Sequence, residues 1–504
     1  MSKVLMIQGS MSNVGKSIIV AGLCRVFKRR GVNVAPFKSQ NMALNSYITK
    51  DGLEIGRAQA IQAEAARIEP SYLMNPILLK PVSNSGSQII VKGIVEDTLK
   101  AVDYYKRKEE FLSSIKECYE ELEKSYDLII IEGAGSPSEI NLKSKDYVNM
   151  GLARMVNSPV LIVGDIDRGG VFAQLYGTIE LLEECEKKLV KGVIINKFRG
   201  DLDILKPGLK QLEDLVNVPV IGTIPMLDID IEEEDSQSSV FSSSKTSLLD
   251  IVVIKLKHMS NYSDFTALSA QEEVGLRYVD DYRDVGNPDL IIIPGAKNTI
   301  DDMQYLRSSG LEAILLKASD KNIPILGICG GYQIMGNTII DDCIEESGYN
   351  EINGLSLLPI VTKYEKKKST VQIKGNIKFN CGIFKDIERC PISGYEIHMG
   401  ISTPVDIPSS LISVGDREDG YQRGNCYGTY THGLFDNDKL LREMIKTLCS
   451  HKGIDIDDTT FNYQDYKERQ YDKLADCLEE YLDFDLLDKI IEDGIDTPGK
   501  GWIL

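Results

Sequence analysis

Residues 3–17, KVLMIQGSMSNVGKS, decide the architecture. An apolar run over residues 3–8 enters a glycine-containing loop, a helical stretch runs from Ser17 to Arg30, and VNVAPFK (32–38) reads as a second strand. Strand, loop, helix, strand opens a parallel α/β sheet, because parallel neighbours need a crossover and a helix is the common one. Further buried strands are expected at Leu128–Ile131, Val160–Val163, Val193–Ile195 and Val218–Ile221, with helical patterns between several of them.

The loop, Gly9-Ser10-Met11-Ser12-Asn13-Val14-Gly15-Lys16-Ser17, stands where a phosphate-binding P-loop must stand, after a strand and before a helix. Backbone N–H groups and the helix N-terminus cradle phosphate oxygens. Gly9, Ser12, Asn13 and Gly15 shape that cradle, Lys16 brings a positive charge to the β/γ-phosphates of ATP, and the Ser17 hydroxyl is a Mg²⁺ ligand. The metal also needs a carboxylate, and Glu132, at the end of the strand in IIIEGAGSPSEINL, is the candidate. A second strand end, VGDIDRGG (163–170), offers Asp165, Asp167 and Arg168, the arginine suited to gripping a phosphate or carboxylate; Asn196, in INKFRGD, is placed to read the nucleotide base.

The bulk numbers set the frame. A chain of 504 residues, at ~150 per domain, holds two to four domains. The formal charge of −19 disfavours nucleic acid as a partner, since phosphate backbones are bound through Lys and Arg. Ten scattered cysteines without a CxxC pair read as reduced cytoplasmic thiols. No apolar run reaches ~18 residues, so no membrane span is expected, and the N-terminus carries no signal-peptide pattern. The acidic, serine-rich stretch 232–247 reads as a linker between a domain at 1–231 and a second α/β domain at 248–450, with strands at 251–256, 290–295 and 323–328; the acidic tail, 451–504, reads as helical and is expected to pack on a neighbouring domain.

In the second domain GICGGYQIMG (327–336) sets Cys329 in a G-x-nucleophile-x-G elbow between strand and helix. Glycines tolerate the strained turn, and a helix N-terminus lowers a thiol pKa. The Gly330 N–H can point at an oxyanion, and the amides flanking Gly295, at the end of IIIPG, supply a second donor. Four histidines are available as base: His432 in YGTYTHGLFDN is preferred, His398 in SGYEIHMG is second or a substrate contact, and His258 and His451 are weaker. An ATP site and a thiol hydrolase on one chain fit together: a thioester formed on glutamine releases ammonia, and ATP activates a carboxylate as an acyl phosphate for ammonia to attack.

The P-loop, one residue longer than the standard spacing, resembles the dethiobiotin-synthetase-like branch; the ParA/MinD branch carries an additional early lysine that Ser10, Met11 and Ser12 do not supply. Taken together, QGSMSNVGKS, APFKSQNMALNS, EIGRAQ, EGAGSPSEINL, DIDRGGVFA, NKFRGD, PGAKNT, GICGGYQIMG, SGYEIHMG and THGLFDN resemble the cobyric acid synthase family, over residues 8 to about 436. The resemblance implies a P-loop domain joined to a class I glutamine amidotransferase-like domain, with Cys329 as nucleophile and His432 as base. It implies ATP- and Mg²⁺-dependent amidation of the b, d, e and g carboxylates of adenosylcobyrinic acid a,c-diamide, with glutamine as donor. Two departures accompany it. Leu434 stands where a class I enzyme has the glutamate of His-x-Glu, leaving the group that orients the imidazole unassigned. Gln40 or Asn41 stands where related amidases carry an acid, and Asn41, Asn45 and Asp146, in loops at the same sheet edge, are the corrinoid contacts expected. The competing functions are a,c-diamide synthesis and a ParA/MinD-like switch with an inactive glutaminase-like domain.

Overall fold

The computed structural model describes residues 2–83, 86–100, 107–143, 146–231, 247–342, 350–379, 381–407, 409–457 and 461–495; the expected linker, all but Ser247, lies outside them. Among the described residues the chain forms two compact units, one of 2–49, 53–231 and 467–495, the other of 50–52 and 247–466.

The first unit is built on a six-stranded parallel sheet in the order Val220–Pro225, Val190–Phe198, Val160–Asp165, Lys3–Gly9, Leu128–Glu132, Val34–Phe37. The strands are apolar at successive positions because both faces are covered. Leu5, Ile7 and Ile130 enter one core, and Met6, Ile129 and Ile131 enter the other, as the alternation of a strand requires. The first strand is central, and the chain leaves it in opposite directions across the sheet. A switch point of this kind leaves a crevice at the carboxyl ends of the strands. Parallel register sets Glu132 and Asp165, the last residues of the two flanking strands, on either side of the loop that follows Gly9.

The tail divides between the units. Residues up to 466, including the helix Asp438–His451, stay with the second unit. The rest of the helix Tyr463–Tyr481, with Phe484–Asp493, belongs to the first, where Tyr471, Leu474, Leu478 and Leu487 are buried beside the helix Lys16–Arg29. Gly22 permits the approach: a Cβ there would stand 2.4 Å from Leu478 Cδ1.

The second unit carries a six-stranded sheet in the order Val274–Val279, Leu249–Ile254, Leu290–Ile293, Ile325–Ile328, Cys426–Thr429, Tyr421–Arg423, parallel but for the last pair. A second sheet holds the long antiparallel pair Ile360–Ile377 and Pro391–Pro404. No described helix in either unit is long and apolar enough to cross a membrane.

Candidate functional sites

In the first unit the loop closes on Gly15, whose φ of 95° suits glycine, and the helix begins at Lys16. Gly9 is equally constrained, since a Cβ there would meet Val14 Cγ2 at 2.7 Å and Lys16 Nζ at 3.0 Å. Lys16 Nζ donates to Met11 O and Gly135 O, both at 3.3 Å, which holds the ammonium over the loop. Ser17 Oγ donates to Glu132 Oε1 at 2.8 Å. Glu132 is buried and receives three further groups: Lys38 Nζ on Oε1 at 2.9 Å, and Gln62 and Gln59 on Oε2 at 2.6 and 3.4 Å. Burial opposes its charge, but Lys38 and the donors Gln62 and Ser17 outweigh it and hold the carboxyl below its ordinary pKa.

Ser17 Oγ and Glu132 Oε1 are hard oxygen donors side by side, the ligands magnesium takes. That ion needs one or two carboxylates beside phosphate and water, so these residues fit it although no group of three or more His, Cys, Asp or Glu is poised for a metal among the described residues. Of the two amides considered as further ligands, Gln40 Oε1 accepts from Tyr147 OH at 2.9 Å, and Asn41 Nδ2 donates to Gln59 Oε1 at 2.8 Å. Asn41 thereby braces the glutamine that braces Glu132.

The other expected residues sort by their contacts. Lys197 Nζ ties Asp165, at 3.2 Å, to the carbonyl of Asn13, at 2.6 Å. Ser12 is exposed on the loop. Asn196 lies beside the loop, where its amide donates to Val14 O at 2.8 Å and braces the backbone. Asp146 is held locally: its carboxylate accepts from the amides of Val148, Asn149 and Gly151 and fixes the turn into the helix Met150–Met155. Arg168 is half-exposed, 3.8 Å from Asp165, with a side chain free to reach outward. Asn45 is buried, and its Oδ1 meets no donor among the described groups.

In the second unit Cys329 has φ 51° and ψ −107°, a backbone conformation that a non-glycine residue adopts only where its surroundings enforce it. The enforcement is visible. Cys329 N donates to Thr429 O at 2.8 Å, and Cys329 O accepts from Gln333 N at 3.1 Å. The glycines allow the close packing: a Cβ on Gly331 would stand 2.0 Å from Ile293 O, and one on Gly327 would stand 2.7 Å from Met335 Sδ. The Gly330 amide opens the helix Gly330–Ile334, and a Cβ at Gly330 would lie 2.7 Å from Ala296 N, so the Ala296 backbone packs directly against Gly330. Neither amide donates in any described backbone hydrogen bond outside the regular elements. Gly295 itself turns its carbonyl to Ser260 N at 2.9 Å and leaves room for the His432 ring, whose Cε1 would be 3.1 Å from a Cβ there. Of the amides flanking Gly295, Ala296 is thus the one beside Gly330.

His432, from the loop after the strand Cys426–Thr429, is near enough to Cys329 for the two side chains to interact electrostatically, while Cys329 Sγ lies 3.6 Å from Ile397 O. Its Nδ1 lies 2.7 Å from Asp264 Oδ2, and Asp264 Oδ1 accepts from Gly433 N at 3.0 Å. Cys329, His432 and Asp264 form a buried line of thiol, imidazole and carboxylate. Burial pulls the imidazole pKa down, but Asp264 and Cys329 more than reverse this and raise it to about 10. Asp264 is the orienting group that the sequence left unassigned. It comes from the turn Tyr262–Phe265, 168 positions before His432, and only its place beyond the carboxyl end of a neighbouring parallel strand could have pointed to it.

The other histidines are elsewhere. His398 stacks on Tyr430 at 3.8 Å between centroids, with Nδ1 2.8 Å from Gly400 O and Nε2 3.6 Å from Glu396. It lines a cavity of about 660 Å³ together with Tyr332, Glu396, Arg417 and Tyr430. His258 pairs with Asp302 at 3.2 Å, and His451 ends a helix in an exposed position.

Comparison with known proteins finds a family match for each unit. Residues 5–240 match the CobQ/CobB/MinD/ParA nucleotide binding domain, and residues 250–440 match the CobB/CobQ-like glutamine amidotransferase domain. The cobyric acid synthase of Ruminiclostridium cellulolyticum is 52% identical over 507 residues, covering 99% of this chain and 98% of its own. That of Lachnoclostridium phytofermentans is 51% identical over 514 residues, covering 98% and 100%, and that of Yersinia enterocolitica is 48% identical over 502, covering 97% and 98%. With a nucleotide-binding unit and a glutamine-hydrolysing unit matched from end to end, the chain belongs to the cobyric acid synthase family, ligases that form carbon–nitrogen bonds with glutamine as amide donor.

Proposed function

We propose that this chain amidates the b, d, e and g carboxylates of adenosylcobyrinic acid a,c-diamide, in the cytoplasm, using Mg·ATP and glutamine. The observation that carries the reading is the pairing, on one chain, of a buried Cys329–His432–Asp264 line with a P-loop whose Ser17 meets Glu132.

In the second unit the Cys329 thiolate attacks the carboxamide carbon of glutamine while His432 holds the proton. The Gly330 and Ala296 amides face the developing oxyanion. His432 then protonates the departing ammonia, and water drawn by the same imidazole hydrolyses the thioester to glutamate. Asp264 keeps the imidazole in the tautomer whose Nε2 faces the sulfur.

In the first unit the P-loop amides and Lys16 bind the nucleotide phosphates. Ser17 and Glu132 would hold Mg²⁺, which supplies neutralisation of phosphate charge. A corrinoid carboxylate attacks the γ-phosphorus, ADP leaves, and ammonia displaces phosphate from the acyl phosphate to give the amide. Asn45, with its unmatched buried carbonyl oxygen, and Arg168 are the groups we place against the substrate; Asn41 acts through Gln59.

The test is mass spectrometry of adenosylcobyrinic acid a,c-diamide incubated with the protein, Mg·ATP and glutamine, beside Cys329→Ala supplied with glutamine or an ammonium salt. Successive carboxylate-to-amide steps, lost in the variant with glutamine and restored by ammonium, are expected. An unchanged substrate mass with folded wild-type protein would refute the reading.

A further inference from the structure

Asp264 fixes one atom of His432, and one hydrogen bond does not fix a ring. Held by Nδ1 alone, 2.7 Å from Asp264 Oδ2, the imidazole would still turn about that axis and carry Nε2 off the sulfur. A second group lies on its face. The Tyr395 ring, from the strand Pro391–Pro404, is stacked on the imidazole, with centroids 5.2 Å apart and planes 17° from parallel. Backbone ties set the two residues in register: His432 N donates to Tyr395 O at 2.8 Å, and Tyr395 N donates to His432 O at 3.2 Å. Gly394 makes room for that exchange, since a Cβ there would stand 2.4 Å from His432 O. The far end of the tyrosine is held as well, because Asn261 Nδ2 donates to its hydroxyl at 2.8 Å. Asn261 has φ 53°, a left-handed conformation that asparagine tolerates, and it opens the turn Tyr262–Phe265 that carries Asp264. Asn261, Asp264, Tyr395 and His432 are all buried.

We propose that Tyr395 and Asn261 are positioning residues of the glutamine-hydrolysing site, and that the turn 261–264 grips His432 twice, through Asp264 in the plane of the ring and through Asn261 and Tyr395 across its face. The inference rests on the reading that His432 takes the proton of Cys329. Each grip does what the other does not. The carboxylate selects the tautomer and pulls along the Nδ1–H axis. The stacked ring sets the plane, so that Nε2 keeps its aim while Nδ1 stays bonded. The stack also favours the charged imidazole, because the face of an aromatic ring is its negative side and a cation within ~6 Å of the centroid is attracted to it. Tyr395 itself bonds to no reacting atom. As the proton leaves Cys329 Sγ for Nε2, the tyrosine steadies the imidazolium that forms, and it keeps the Nε2–H directed as that proton passes to the nitrogen leaving glutamine.

The experiment uses the full chain with Tyr395→Leu, Tyr395→Phe, Asn261→Gly and the last two combined. Glycine is chosen at 261 because it keeps the left-handed backbone without strain. Glutamate release gives kcat and KM for glutamine. The rate at which iodoacetamide labels the Cys329 peptide, followed by mass spectrometry across pH, gives the midpoint at which the thiolate forms. Cys329 from the elbow, Asp264 from the turn and Tyr395 from the strand all face the imidazole, so that midpoint reads the set. Ammonium-driven amidation and thermal melting report folding. Tyr395→Leu is expected to lower kcat by about 10²-fold with KM within about threefold of the parent. It is expected to raise the labelling midpoint by at least about 0.5 pH unit. Tyr395→Phe and Asn261→Gly remove the same hydrogen bond, so each is expected to lower kcat by about three- to tenfold and the combined variant no further. In folded Tyr395→Leu, a kcat within about threefold of the parent, a loss confined to KM, or an unmoved midpoint would overturn the proposal. Should Tyr395→Leu not fold, the other three variants decide: losses that multiply, or no loss in either single variant, overturn it. His432→Ala separates the premise: if it releases glutamate as the parent does, His432 is not the base and that assignment falls first.

Discussion

At the scale of single residues, Asp264 determines what His432 can do. An imidazole buried between a thiol and no carboxylate would lose its proton; between Cys329 and Asp264 its pKa rises to about 10. Asp264→Asn keeps the shape but offers an amide where Nδ1–H needs an acceptor of full charge. Glutamine hydrolysis is expected to fall by about 10²–10⁴-fold, the pH–rate profile to move with the lowered imidazole pKa, and ammonium-driven amidation to stay at its parent level. A drop in both activities would mean that Asp264 only supports the fold. The sign of the pH dependence of stability follows from the same shift. The folded pKa of about 10 exceeds the ordinary 6.5, so the stability supplied by protonated His432 is fully present below pH 6.5 and is lost as pH rises through 10. In urea denaturation followed through the second unit, the stability gap between wild type and Asp264→Asn should therefore shrink steadily from pH 6.5 to pH 10. A gap that widens over that window counts against the assignment.

At the scale of elements, the helix Lys16–Arg29 does two things: its first turn forms the phosphate site, and its body takes the tail. Arg25, fully buried in that helix, donates to Glu468 at 2.5 Å, to Asp472 at 2.8 Å and to Ala65 O at 3.3 Å. Glu64, at the end of the helix that carries Gln59 and Gln62, accepts from Lys467 and Tyr471. The tail thus steadies both helices that surround Glu132. Replacing Glu468 and Asp472 together by alanine would leave Arg25 buried without a counter-ion, and we expect a loss of about 3–5 kcal/mol in the first unit. Denaturant titration monitored by nucleotide binding checks this; a change below about 1 kcal/mol would show that Arg25 is satisfied by backbone carbonyls alone. The amphipathic pattern of residues 463–493 announced a buried face, but a pattern does not name the surface it meets.

At the scale of the whole chain, the two chemistries are separable because each site is completed by side chains of its own unit and each unit has its own core. Lys16→Ala is expected to abolish amidation with either glutamine or ammonium while glutamine hydrolysis persists, the mirror of Cys329→Ala. Paired assays of glutamate release and amide formation check it, and loss of glutamate release in Lys16→Ala would show that hydrolysis waits on nucleotide. The loop 9–17 and the elbow around Cys329 were legible because each is a contiguous run in which glycine spacing and one reactive side chain must occur together. Glu132 and His432 followed from their places at strand ends. Gln59, Gln62, Lys38 and Asp264 were not legible as site residues, nor were the backbone contacts of Asn196 with the loop and of Asp146 with its own turn. Local sequence therefore determined the parallel sheets, the phosphate loop and the nucleophile, since strand periodicity and tight turns depend on neighbours in the chain. Tertiary structure alone decided which carboxylate holds His432, which cation faces Glu132 and where the tail lies, because those partners meet through packing across tens to hundreds of positions, and spacing along the chain carries no record of that distance.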